Sequence, residues 1–182
     1  IHISTDHFYN KKNSREHDIE ILNNYALTKY FAEKAFNNSK SVILRTNFFG
    51  KSESKYSEGL CNSFLTKAKN GSTLNLFHDV YFSPLSIKTL CKIITLCVEN
   101  PITGVFNVGS REGLSKEEFL LTFLTATGFK NIGYNSISMK DLEPKTNRPT
   151  DMRMNVKHFE DTYQFKLPTL TTEIKRVANE FK

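Results

Sequence analysis

Apolar positions along the chain fall into two kinds of segment: short β-branched runs and longer stretches with helical spacing. Ile1 to Thr5 reads as a buried strand, followed by a polar loop from Asp6 to Asp18. Helical spacing runs from about Leu22 to Asn37, with Leu27, Phe31 and Ala35 predicted as its buried stripe. Ser41-Val-Ile-Leu-Arg45 has the composition of a parallel strand covered on both faces. A loop rich in Ser, Lys and Glu, Gly50 to Tyr56, leads into a helix across Leu60, Phe64, Leu65 and Ala68 that stops at Asn70-Gly71. Thr73 to Phe77 is a short strand. Pro84-Leu85-Ser86 caps a helix from Ile87 to Val98, closed by Asn100-Pro101. Gly104 to Gly109 is a further strand, ending at a glycine. Ser115-Lys-Glu-Glu118 has the capping-box form, and the helix it opens runs to Thr127-Gly128. Tyr134 to Ser138 reads as a strand. After Glu143-Pro144 the chain is irregular, and short helices around Val156 to Asp161 and Thr171 to Phe181 finish it.

This alternation argues for an α/β fold with a parallel sheet. A length of 182 residues suits one domain with a substantial core, and 38% apolar with 24% charged residues is the balance of a globular protein. No run approaches the ~18 apolar residues of a membrane helix. The longest candidate, Ile87 to Val98, is broken by Lys88, Thr89, Lys92 and Thr95. Cys61, Cys91 and Cys97 are odd in number and lack metal-ligand spacing, which reads as reduced thiols in a cytoplasmic protein. The five histidines, His2, His7, His17, His78 and His158, form no metal-binding pattern. The net charge of +6 comes from scattered lysines without a basic stripe or interleaved aromatics. That excludes the usual footprint of a nucleic-acid binder and suits a small anionic substrate.

The candidate chemistry centres on Tyr25-Ala-Leu-Thr-Lys29. Tyr25 and Lys29 lie four apart on a helix and share a face. A neighbouring ammonium favours the phenolate and draws a tyrosine pKa down from about 10, giving a usable acid/base pair. Thr5, at the end of the strand that closes in Ser4-Thr5-Asp6, supplies a hydroxyl that could hold a substrate oxygen near that phenol. The structural alternative is a tyrosine and a snorkelling lysine that merely frame the core. Asn47 after the second strand is either a turn residue or a donor to substrate. Arg148 is either a surface residue before a proline turn or a bidentate partner for a diphosphate.

Together these segments resemble the extended short-chain dehydrogenase/reductase family, which acts on nucleotide sugars. Ile3-Ser-Thr-Asp-His-Phe-Tyr-Asn10 looks most like the Ser-Thr-Asp-Tyr-Val-Phe-Asp/Asn segment of the dTDP-4-dehydrorhamnose reductases, with His7 standing where those enzymes carry Tyr. Asn47-Phe-Phe-Gly50 is similar to the family's Asn-Val-Tyr-Gly, and Gly104-Val-Phe-Asn-Val-Gly109 to its Val-Tyr-Asn-Val/Ile-Gly strand. Arg148-Pro-Thr-Asp151 is similar to the Arg-Pro-x-Asp segment of the substrate domain.

The resemblance implies the C-terminal part of a Rossmann-like sheet from residues 1–50 and 84–110, with 51–83 and 111–182 forming a smaller α/β substrate domain. It implies reduction of a 4-keto nucleotide sugar, with Thr5, Tyr25 and Lys29 catalytic. Tyr25, Lys29 and Thr46 would face an NADP or NAD cofactor, and Thr5, Asp6, Asn47 and Arg148 the nucleotide-sugar substrate. A homodimer fits the same resemblance. No glycine-rich phosphate-binding turn occurs among the eight glycines. The expectation is therefore a C-terminal portion of a longer enzyme, inactive by itself. A nucleotide-sugar epimerase or dehydratase of the same fold would use the same three residues. A reductase-like regulatory subunit without catalysis is the alternative from another class, and the intact Thr5, Tyr25 and Lys29 argue against it.

Overall fold

The structure, a computed structural model, describes residues 1–36, 40–54, 56–142 and 146–182. Asn37, the expected end of the first helix, and Glu143-Pro144 lie outside the described residues. The elements run β1 (His2–Thr5), α1 (Asn24–Phe36), β2 (Val42–Thr46), β3 (Phe48–Phe49), α2 (Leu60–Lys69), β4 (Leu74–Phe77), β5 (Tyr81–Phe82), β6 (Leu85–Ser86), α3 (Ile87–Glu99), β7 (Gly104–Val108), β8 (Leu114–Ser115), α4 (Lys116–Ala126), β9 (Tyr134–Ile137), β10 (Asp151–Met152), α5 (Lys157–Tyr163) and α6 (Leu170–Ala178). The fold is α/β with parallel sheets, as the alternation of segments predicts.

The principal sheet has the order β1-β2-β7, parallel throughout. Thr5 lies opposite Thr46, and Thr46 opposite Val108, so all three strands end at one edge. β2 is buried along its whole length, as its β-branched composition predicts. The glycine that closes β7 is required by a close approach: a Cβ on Gly109 would lie 2.6 Å from the Ser83 carbonyl oxygen. A second sheet has the order β10-β5-β8; β3 pairs with β6, and β4 with β9.

Local signals place the helices well. The Ser115 side chain accepts from the Glu118 amide while the Glu118 carboxylate accepts from the Ser115 amide, which closes the capping box at α4. Ser86 caps α3 by accepting from the Thr89 amide, and Asn100 ends it. The buried apolar residues form two clusters. One joins α2, α4 and α6 around Phe119, Phe123, Leu74 and Ile174. The other joins the principal sheet, α3 and α5 around Leu44, Phe106, Ile93 and Phe159.

The expected face of α1 is wrong. Leu27, Phe31 and Ala35 are exposed, and the inward residues are Ala26 and Glu33. Two polar attachments set this rotation. Lys29 donates to the Ile3 carbonyl at 2.9 Å, and Glu33 accepts from Arg45 of β2 at 2.6–3.2 Å. Lys29 and Glu33 share the face of Tyr25, so holding them against the sheet turns the apolar row outward.

Candidate active site

The site forms where the principal sheet ends. β1 closes at Thr5 and leads directly into Asp6 and His7, while β2 closes at Thr46 and leads into Asn47. Asn23 sets the start of α1 beside them: its side chain accepts from the Ala26 amide at 2.9 Å and so satisfies a first-turn donor. The same side chain donates to the Asn147 carbonyl at 2.9 Å. Farther along, the Asn10 side chain accepts from the Thr150 amide at 2.8 Å. These two bonds draw the segment holding Arg148 across to the start of α1. Tyr25 and Arg148, distant in sequence, consequently line one open cleft of ≈ 700 Å³ together with His7, Leu22 and Asn24.

Within the cleft Tyr25 is 53% exposed, and its ring meets His7 edge-to-face at 5.2 Å between centroids. Its hydroxyl forms no hydrogen bond with a described residue. Lys29 hydrogen-bonds the strand at Ile3 and not the phenol. Lysine carries three donors, so this contact leaves capacity for hydroxyls of a ligand. Thr5 is buried, and its hydroxyl oxygen accepts from the His7 amide at 3.2 Å. Thr46 is buried one strand away and donates to the Asn47 carbonyl at 3.3 Å.

Asp6 is fully enclosed and accepts from the Asn47 amide at 2.9 Å. Burial pushes its carboxyl up to about 7, with Asn47 and the charge of Lys116 acting against the shift. His7 moves the other way: burial, then the positive charges of Lys116 and Arg148, lower its pKa and favour neutral imidazole. Its Nδ1 is buried without a hydrogen-bond partner. Arg148 is exposed and makes no hydrogen bond or ion pair with any described residue.

The structure thus brings Thr5, Asp6, Thr46 and Asn47 to one sheet edge and Tyr25 and Arg148 to the facing cleft, holds Lys29 against Ile3 within β1, and assigns Asn47 to Asp6. Sequence reasoning missed the support beneath them. Arg45 also donates to the Tyr9 hydroxyl at 2.9 Å and the Glu16 carbonyl at 2.6 Å, and Tyr9 donates to Asn107 at 2.6 Å. This buried chain fastens α1 and the loop after β1 to the sheet. The one available signal was Glu33, one turn beyond Lys29 on the same face. Among the described residues no cluster of His, Cys, Asp or Glu could hold a metal ion, and no helix is long and apolar enough to cross a membrane.

Comparison with solved structures gives the fold its relatives. The chain is similar to dTDP-4-dehydrorhamnose reductase from Bacillus anthracis, solved in complex with NADP, with TM-score 0.88, 19% identity, and coverage of 98% of this chain and 64% of that one. It is also similar to a dTDP-4-dehydrorhamnose reductase from Clostridium acetobutylicum, with TM-score 0.87, 20% identity, and coverage of 99% and 65%. A dTDP-glucose 4,6-dehydratase from Bacillus anthracis, in complex with NAD, matches with TM-score 0.77, 14% identity, and coverage of 98% and 60%. The chain therefore spans less than two thirds of the length of these proteins. A search of curated proteins found no match. The family described as RmlD substrate binding domain matches residues 1–182, and this chain belongs to it.

Proposed function

We propose that the protein carrying this chain reduces the 4-keto group of a nucleotide sugar, in the manner of a dTDP-4-dehydrorhamnose reductase, with NADPH or NADH. The observation that carries the reading is the convergence of Tyr25 and Arg148 on one cleft at the end of the strand holding Thr5. A bound nicotinamide supplies the hydride. Tyr25 gives the proton to the substrate oxygen, and Thr5 steadies that oxygen by hydrogen bonding. The ammonium of Lys29 has donors left for ribose hydroxyls and, when it approaches Tyr25, favours the phenolate that forms. Thr46, at the same sheet edge opposite Thr5, would face the cofactor. Arg148 offers its planar fork to the diphosphate. The pyrophosphate of the cofactor needs a cradle of backbone amides, and no glycine-rich turn among these 182 residues provides one.

Turnover of dTDP-4-keto-6-deoxyhexose by the full-length protein tests the reading. One reduced nicotinamide is consumed per product, and Tyr25→Phe lowers kcat by about 10²–10⁴-fold, the usual worth of a positioned acid. Product formation with no net nicotinamide consumed would instead identify an epimerase or dehydratase. Undiminished turnover in Tyr25→Phe would make the tyrosine structural.

A further inference from the structure

We propose that Lys116 is the second cation of the cleft and works with Arg148 as a two-point clamp on an oxyanion group of the substrate. The source of that group is either the nucleotide diphosphate or a carboxylate on the sugar. The inference rests on the nucleotide-sugar reading above and adds to it a residue that neither the capping box nor any family segment singles out.

The register of the second sheet brings the two cations together. β5 runs parallel to β10, with Tyr81 opposite Asp151, and antiparallel to β8, with Tyr81 opposite Ser115. The starts of β10 and β5 and the end of β8 therefore share one end of the sheet. Arg148 enters β10 at that end, and Lys116 leaves β8 there. The bonds from Asn23 to Asn147 and from Thr150 to Asn10 bring the start of α1 and the loop after Thr5 to the same place.

Lys116 differs from the ion-paired arginines of the chain. Arg45 is paired with Glu33, Arg153 with Asp151, and Arg176 with Glu173. Lys116 is mostly buried, yet it forms no hydrogen bond through its ammonium and no ion pair with any described residue. Its ammonium lies 6.0 Å from the centroid of the Phe82 ring. Burial lowers its pKa; the charge of Asp6 opposes the shift and that of Arg148 adds to it. Asp6 is the carboxylate that acts on Lys116, and its own ionisation is suppressed by burial. A mostly buried lysine beside an exposed guanidinium, neither paired with a described residue, leaves two sets of cationic donors for one anion.

The test titrates the full-length protein with dTDP, dTDP-glucose and dTDP-glucuronate by calorimetry, in wild type, Lys116→Met, Lys116→Arg and Arg148→Met. Lys116→Met should weaken at least one of these ligands by about ten- to a hundred-fold, the worth of one charge-assisted hydrogen bond, and Lys116→Arg should stay within about threefold. Equal losses for all three ligands place the clamp on the diphosphate; a loss confined to dTDP-glucuronate places it on the sugar carboxylate. Without ligand, Lys116→Met should melt no lower than wild type, because it removes an unpaired charge. A fall of more than about 5 °C would reveal an internal partner and overturn the proposal, as would unchanged affinity for every ligand in Lys116→Met. Should Arg148→Met weaken binding in that case, the nucleotide-sugar reading stands without the clamp. Failure of wild type to bind any of the three ligands would remove both.

Discussion

A carboxyl group enclosed as Asp6 is keeps its proton to unusually high pH, and that has a consequence for stability. Its folded pKa is raised to about 7 by burial, against 3.8 for the free group. Between these values the folded state binds more protons than the unfolded one, so stability falls as pH rises through that window. The wild type should lose on the order of 3 kcal/mol from this group between pH 4 and pH 8. Asp6→Asn keeps an acceptor for the Asn47 amide and removes the titration. The variant should therefore match wild type near pH 4 and exceed it near pH 8. Urea unfolding at the two pH values checks this, and a constant difference between the proteins would show that Asp6 ionises freely. Below about pH 7 the protonated Asp6 offers Lys116 no counter-charge, and it gains one as pH rises.

At the scale of elements, α1 depends on one buried ion pair. Glu33 and Arg45 are almost wholly enclosed and meet through three contacts. Removing one partner strands the other charge away from water, so Arg45→Met should cost about 3–5 kcal/mol. Replacing both, as Glu33→Met with Arg45→Met, should cost much less than the two single changes added together. A double-mutant cycle by denaturant unfolding measures the difference, and additive losses would mean that the pair does not set the helix. This pair also explains where the sequence was readable. The caps at Ser86 and Ser115 depend on neighbours within a few residues, and β2 reveals itself by composition, so these were legible. The rotation of α1 depends on Arg45 in another strand, which periodicity within the helix does not report; Leu27, Phe31 and Ala35 were accordingly placed inside. The two-residue strands β3, β5, β6, β8 and β10 exist through pairing with remote segments and leave almost no local signal. Thr5, Tyr25 and Lys29 stood out as candidates by their motif, whereas the proposed role of Lys116 was hidden inside a helix start whose spacing already had a sufficient explanation.

For the molecule as a whole, the question is how the two buried clusters are joined. Glu173 of α6, itself fully enclosed, reaches from the cluster of α2, α4 and α6 to the start of α3 in the other. It accepts from the Ser86 amide at 2.7 Å, from the Thr89 hydroxyl at 3.0 Å and from Arg176 at 2.6 Å. The carboxylate also lies at the positive end of the α3 dipole. Joined in this way, the clusters should open together, and the sheet edge with Thr5 should keep its position relative to Arg148. Glu173→Ala leaves the buried Ser86 amide without its acceptor, while the part-exposed Arg176 keeps the Thr89 hydroxyl, at a cost of about 1–3 kcal/mol. The loss should fall unevenly. Segments of α4 and α6 should exchange their amide hydrogens well before β2 and β7, whereas in wild type the four should exchange at similar free energies. Hydrogen exchange read by mass spectrometry resolves these segments. If β2 and β7 lose protection in step with α4 and α6 in Glu173→Ala, the clusters are coupled through their wider contact and not through this carboxylate.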